Sequence, residues 1–205
     1  MKISSDRLYQ IPVPIIALTG GIACGKSTVA KLFKDKNIPL ISADELVKEI
    51  YLEDEALKFI QGLLPAAIEN SKINFSVLRQ IVFSKPDIKQ KVEDFIYQRL
   101  PQKFLNAFIQ FSAPRILIYD VPLLFEKKLD TKVDKIICVY CPRSEQIKRL
   151  LKRDNITLDL AENMLKQQID IEIKKNAADY VINNTQDLAF LEKEFQETFE
   201  QIKSL

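Results

Sequence analysis

The sequence predicts an α/β fold: a five-stranded parallel sheet flanked by helices, with a helical insertion between the second and third strands. Three observations carry this. Apolar runs of strand length recur five times along the chain, with stretches of helical spacing between them. Three of the four glycines fall within residues 20–25, directly after the first of those runs. The interval of residues 53–112 keeps helical spacing but is too long for one crossover helix. Strands alternating with helices imply a parallel sheet covered on both faces.

Ile15-Ile16-Ala17-Leu18 reads as a short buried strand running into the glycines. Ser27 to Lys36 reads as a helix, with Val29, Leu32 and Phe33 on one face. Ile38-Pro39-Leu40-Ile41 is the second strand, and Asp44 to Tyr51 opens a helical stretch. From about Glu53 to Ser112 the pattern is helical, with breaks expected near Pro65, Pro86 and Pro101. Arg115 to Asp120 is the third strand and Lys135 to Tyr140 the fourth. Arg143 to Asp154 is a basic helix, and Asp159 to Asn176 is expected to be one more helix. Ala178 to Asn183 is the fifth strand, followed by an amphipathic helix from Leu188 to Ile202.

Composition excludes several function classes. The 205 residues fit one domain with insertions, 47% apolar and 28% charged, with a net charge of +2. No strong field favours nucleic acid or an anionic membrane, and no apolar run approaches bilayer length. The opening MKISSDRLYQIPVP lacks the apolar stretch of a secretory signal. Three cysteines, an odd number, fit a reducing compartment, and a cytoplasmic location is expected. Histidine is absent. That removes Ser–His–Asp and Cys–His nucleophile systems and His-based zinc or haem sites. Proton transfer falls to carboxylates, Lys, Tyr or Cys.

Gly20-x-x-x-x-Gly25-Lys26-Ser27 matches the phosphate-binding P-loop and lies between a strand and a helix, where that loop works. Average usage would give about 14 glycines in a chain of this length, so their concentration here is informative. Main-chain amides of Gly21, Ile22, Ala23, Cys24, Gly25, Lys26, Ser27 and Thr28 would form the anion site, and the helix start adds its positive end. Lys26 would reach the β- and γ-phosphates, and the Ser27 hydroxyl would ligate Mg²⁺. The loop does not by itself name a reaction: a small-molecule kinase, whose fold class would be that of a P-loop kinase, competes with a GTPase switch and an ATPase motor. Thr131-Lys132-Val133-Asp134 resembles a guanine-reading element, but it precedes a strand rather than following one. Gly62, the one glycine outside the loop, has Phe59 three residues before it, so the Asp-x-x-Gly of a switch is missing.

Two carboxylates end strands in this reading. Ser42-Ala43-Asp44-Glu45 fits a capping box, with Asp44 placed to take a proton from an attacking hydroxyl. Asp120 begins Asp120-Val121-Pro122-Leu123-Leu124-Phe125-Glu126 and would support Mg²⁺. Residues 143–153 hold five basic groups against one acidic group, with Arg149 and Arg153 on one helical face. Guanidinium forks suit the charge spread over a transferring phosphoryl group.

These stretches together resemble the dephospho-coenzyme A kinase family over about Ile15 to Asn184. The carrying residues are Thr19–Thr28, the Asp44 stretch and, most distinctively, Asp120–Glu126. Gln146, Arg149, Arg153-Asp154, Gln168, Glu172, Ala178-Asp179 and Val181-Ile182-x-Asn184 fall at the family's spacing. The resemblance implies ATP-dependent phosphorylation of the ribose 3′-hydroxyl of dephospho-coenzyme A, with ATP and Mg²⁺ as cofactors. It implies Asp44 as base, and Lys26 and Arg149 as the groups that stabilise the transferring charge. It also implies Arg153 and Asn184 as nucleotide contacts, and Pro122, Leu123, Leu124 and Glu126 beside the acceptor. The expected division is a core (about 11–52, 113–142 and 167–205), a coenzyme A-binding helical insertion (about 53–112) and a lid (about 143–166). The expected partner is a small molecule, with no nucleic acid and no membrane, and the expected state is a monomer or weak homo-oligomer. Competing readings are a nucleoside or nucleotide monophosphate kinase, and a nucleotide-binding protein with an eroded acceptor site.

Departures from the family pattern concentrate on the acceptor side: Ser42 for Asp, Phe75 for Arg, and Tyr97-Gln98 for His-Pro. Ala23-Cys24 replaces Gly-Ser in the loop, and Gln186 replaces a glycine. The change at 23 is mild provided that the position takes helical φ/ψ. The loop's field should favour a Cys24 thiolate. Cys138-x-x-Cys141 reads as packing, since residues three apart on a strand point to opposite faces.

Overall fold

Strand β1 (Ile15–Gly20) is buried along its whole length, because it is apolar and has a neighbour on each edge. β5 (Leu117–Asp120) and β6 (Lys135–Tyr140) flank it in parallel, setting Leu18 opposite Asp120 and Gly20 opposite Val139. With β2 (Leu40–Ser42) and β7 (Tyr180–Asn183) the sheet has five strands in the order β2-β5-β1-β6-β7. The computed structural model describes residues 2–203. After β1 the chain leaves toward one edge for β2, while β6 and β7 lie on the other side. The carboxyl end of β1 is thus at a topological switch point, where open α/β sheets bind ligands.

Helix α1 (Lys26–Asp35) follows β1 and packs on α9 (Leu188–Ile202), with Phe33 meeting Phe195 edge to face at 4.8 Å. α8 (Ile171–Ala177) packs on β6. α6 (Arg143–Asp154) and α7 (Leu158–Lys166) form a hairpin around Leu150, Ala161 and Leu165, and Ile22 and Ala23 of the glycine loop pack onto that cluster.

The chain divides into two compact units, Met1–Ile41 with Ser112–Leu205, and Ser42–Phe111. The second holds α2 (Ala43–Tyr51), α3 (Asp54–Leu63), α4 (Phe75–Ser84) and α5 (Pro86–Phe108). α2 belongs with it because it packs against α5. Phe59 stacks on Phe95 at 4.2 Å, and the Arg99 guanidinium lies 3.7 Å from the same ring. Among the described residues no helix is long and apolar enough to cross a membrane.

Three expectations about elements are corrected. The helix expected over 159–176 is two helices, because Asp170 caps α8 through the Glu172 N–H while the Ile169 N–H is taken by Glu126. The second unit is not helical throughout. β3 (Ile68–Glu69) and β4 (Lys72–Ile73) form an antiparallel hairpin, whose turn residues Asn70 and Ser71 both have positive φ. Pro65 opens a short 3₁₀ turn and Pro86 opens α5, but Pro101 lies inside α5 and breaks nothing.

Candidate active site

The three loop glycines answer three different demands. A Cβ on Gly20 would stand 2.6 Å from the Val139 carbonyl oxygen on the adjacent strand. Gly21 has an ordinary backbone, but a Cβ there would lie 2.2 Å from Gln146 Nε2. Gly25 caps α1 at φ 90°, and its Cβ would meet Asn184 Nδ2 at 2.2 Å. A turn from Gly21 to Cys24 is closed by the Cys24 N–H on the Gly21 carbonyl at 3.1 Å. α1 starts immediately after, so the amides of Lys26 and Ser27 lack intrahelical partners and carry the helix's positive end. Ala23 has φ 61°, not helical, so the condition for a mild Gly-to-Ala change is not met. That conformation costs an L-residue about 1–2 kcal/mol.

The Lys26 ammonium lies 2.5 Å from Asp120 Oδ1, with both side chains largely buried. Asp120 reaches it because it ends β5 beside β1, where the Val121 N–H bonds the Leu18 carbonyl. Ser27, in the first turn of α1, is exposed.

Side chains from α6, from the segment after α7 and from the end of β7 bond four further polar groups of the loop. Gln168 Oε1 accepts from the Ile22 N–H at 3.0 Å, and Gln146 Nε2 donates to the Ile22 carbonyl at 2.8 Å. Asn184 Nδ2 donates to the Cys24 carbonyl at 2.8 Å. Arg149 donates to the Asn184 carbonyl at 2.7 Å and to the Ala23 carbonyl at 3.5 Å, with its Nε on Glu145. Arg153 stands apart, exposed and forked onto its neighbour Asp154.

The Pro122–Glu126 segment is pinned from below. Thr19 and the fully buried Lys174 both donate to the Pro122 carbonyl, at 3.2 and 3.0 Å. Lys174 also pairs with Glu126 at 2.7 Å. Leu124 is fully buried, and one Glu126 oxygen is buried without a partner. Leu124 therefore packs into the fold, and the Glu126 carboxylate is held by Lys174 and the Ile169 N–H; Pro122 and Leu123 are half-buried. Sequence reading missed Lys174, which looks like part of a solvated helix face until Glu126 is placed beside it.

Asp44 is the second residue of α2 in the other unit, and the Ser42 hydroxyl caps that helix by accepting from the Glu45 N–H at 3.4 Å. Asp134 is occupied structurally: it takes two hydrogen bonds from Arg7 and one each from the Ile15 and Lys2 amides. Nothing of a guanine-reading element is left.

Cys24 and Cys141 are buried with their sulfurs 3.4 Å apart. The Cys141 thiol donates to Cys24, which lowers the Cys24 pKa and raises that of Cys141; the Arg149 charge adds a smaller lowering at Cys24. Burial pushes Cys138 up to about 12. Among the described residues no three His, Cys, Asp or Glu side chains gather to hold a metal.

The amides of Ile22, Cys24 and Thr28 are not part of the anion site as expected, because they bond Gln168 and the Gly21 and Gly25 carbonyls; a glycine loop that ends in a helix start, with its lysine resting on the carboxylate of the adjacent strand, still suits a polyphosphate. On a five-stranded parallel sheet of this order it defines a P-loop kinase. A family model described as dephospho-CoA kinase matches residues 14–189, and the chain belongs to that family. A dephospho-CoA kinase of Bartonella quintana is 35% identical over 93% of this chain and 97% of its own length. The solved dephospho-CoA kinase of Campylobacter jejuni superposes with a TM-score of 0.66 at 29% identity, over 92% of this chain and 96% of that one. A Thermus thermophilus protein shares the fold, with a TM-score of 0.82 at 24% identity, over 92% of this chain and 97% of that chain.

Proposed function

We propose that this chain transfers the γ-phosphoryl group of ATP to the ribose 3′-hydroxyl of dephospho-coenzyme A, releasing coenzyme A and ADP. The observation that supports it most is the loop geometry, with amides at the head of α1 that have no intrahelical partner beside a lysine 2.5 Å from the strand-end Asp120. Catalysis of this kind is positioning and charge stabilisation. Lys26 follows the β- and γ-phosphates, and Arg149, already hydrogen-bonded to the loop, faces the transferring charge. Asp44 orients or deprotonates the acceptor. Residues 53–112 bind the coenzyme A portion, and residues 143–166 act as the lid that excludes water. Pro122 and Leu123 border the acceptor.

Mg²⁺ fits the donors present. The Ser27 hydroxyl and the Asp120 carboxylate are hard oxygen ligands, too few for a protein cage, which suits an ion that arrives with phosphates. When bound it would neutralise charge on the β- and γ-oxygens. Three cysteines outside any disulfide support a cytoplasmic location.

The test is ADP release with dephospho-coenzyme A, compared with AMP, nucleosides and no acceptor. Dephospho-coenzyme A alone should stimulate release, with 3′-phosphorylated product by mass spectrometry. Stimulation by AMP or nucleosides instead would overturn the acceptor assignment. Lys26→Ala should cut turnover about 10²–10³-fold. Asp44→Asn should keep ATP binding and lose about 10²–10⁴-fold in transfer; near-normal turnover would remove Asp44 from its role.

A further inference from the structure

Ile22 sits between β1 and α1, so neither its N–H nor its carbonyl has a ladder or helix partner. Two glutamines fill both vacancies. Gln146 lies in the first turn of α6, is 2% exposed and donates to the carbonyl. Gln168 lies just past α7 and accepts from the N–H. They stand at the two ends of the basic helical hairpin, so both of its stems are bonded to a single residue of the phosphate loop.

We infer that Gln146 and Gln168 are positioning residues for the nucleotide site: together they fix the Ile22 main chain, and with it the orientation of the loop amides that follow. A second observation points the same way. Gly21 needs no glycine for its backbone, yet a Cβ there would overlap the Gln146 amide, with Nε2 at 2.2 Å and Cδ at 3.2 Å. The second glycine of the loop therefore makes room for Gln146. The polarity is also fixed, because a carbonyl needs a donor and an N–H needs an acceptor. Position 146 must donate and position 168 must accept. The inference rests on the loop's taking a nucleotide, and not on which alcohol receives the phosphoryl group.

Polarity gives the test. Glutamate is nearly isosteric with glutamine and can only accept at neutral pH. Gln168→Glu keeps the bond to the Ile22 N–H, whereas Gln146→Glu sets a carboxylate against the Ile22 carbonyl. Both bring the same charge to the same residue, so the difference between them reads hydrogen-bond polarity. Affinity for a fluorescent ATP analogue is measured by titration without acceptor, on variants whose circular dichroism matches the parent. Gln146→Leu and Gln168→Leu should each weaken binding about tenfold, and Gln146→Glu should bind at least about tenfold more weakly than Gln168→Glu. Gly21→Ala should weaken binding by displacing Gln146, and adding Gln146→Ala to it should cost little more. Equal affinities for the two glutamate variants, or leucine variants that bind like the parent, would overturn the inference. So would full additivity of Gly21→Ala with Gln146→Ala. A parent that binds the analogue but does not phosphorylate dephospho-coenzyme A would sink the acceptor assignment and leave this one standing; a parent that binds no nucleotide sinks both.

Discussion

Ala23 holds a left-handed conformation, with φ 61°, and two effects compete at that position. The conformation costs about 1–2 kcal/mol. The methyl group recovers part of this by packing onto Leu150, Ala161 and Leu165, where full burial of one carbon is worth about 0.8 kcal/mol. Ala23 is only half-buried, so the strain wins. Ala23→Gly is expected to raise stability by about 0.5–1 kcal/mol, read as a higher urea midpoint at unchanged slope; a lower midpoint would show that packing dominates. Lys26, Ser27 and Asp120 were legible in the sequence because a local motif carries them. Lys174, Asp134 and the hydrogen-bond roles of Gln146 and Gln168 were not, because each depends on a partner far along the chain. Gln168 serves Ile22, and Lys174 serves Glu126 and Pro122.

Elements whose signals are local were readable, and those decided by tertiary contacts were not. The hairpin of β3 and β4 rests on two left-handed turn residues, Asn70 and Ser71, with no glycine to mark it. The break between α7 and α8 needs Asp170 as cap and Glu126 as the acceptor for Ile169. α5 is the clearest override. An interior proline costs a helix about 3 kcal/mol, yet α5 buries Val92, Ile96, Leu100 and Phe104 at four-residue intervals through Pro101. Beyond Pro101 the helix still buries Phe104 completely, worth about 1.5–3 kcal/mol, which together with the hydrogen bonds of the last two turns matches the cost of the proline. Pro101→Ala should restore an amide donor and relieve the ring clash. It also frees the unfolded chain, which offsets about 0.4–1 kcal/mol. The expected net gain is about 2 kcal/mol, measured by equilibrium denaturation; no gain would show that the backbone around Pro101 carries no strain.

At the scale of the molecule, the alternation of strands and helices was legible, but the strand order was not, since β5 enters between β1 and β2 from far along the chain. The residue that ties the amino-terminal segment to this sheet is Asp134, whose side chain is fully buried with that of Arg7 at 7% exposure. Burial alone would raise its pKa; the hydrogen bonds from Arg7, Ile15 and Lys2 outweigh that and hold it below the usual carboxylate value. A carboxylate with a depressed folded pKa contributes stability that is complete above its unfolded value near 3.9 and fades as pH falls through the folded one. Asp134→Ala leaves a buried guanidinium and the Ile15 N–H without their acceptor, so it should cost about 3–5 kcal/mol at pH 7. The gap between parent and variant should hold down to about pH 4 and narrow below it, as the parent's carboxyl takes up its proton. Replacing both partners, Arg7→Met with Asp134→Leu, should cost less than Asp134→Ala alone, because no charge is then stranded. Urea denaturation across pH 2.5–7 reads all three; a gap that stays constant through the acid range would mean that Asp134 does not titrate with unfolding and that the ion pair is not what anchors the segment.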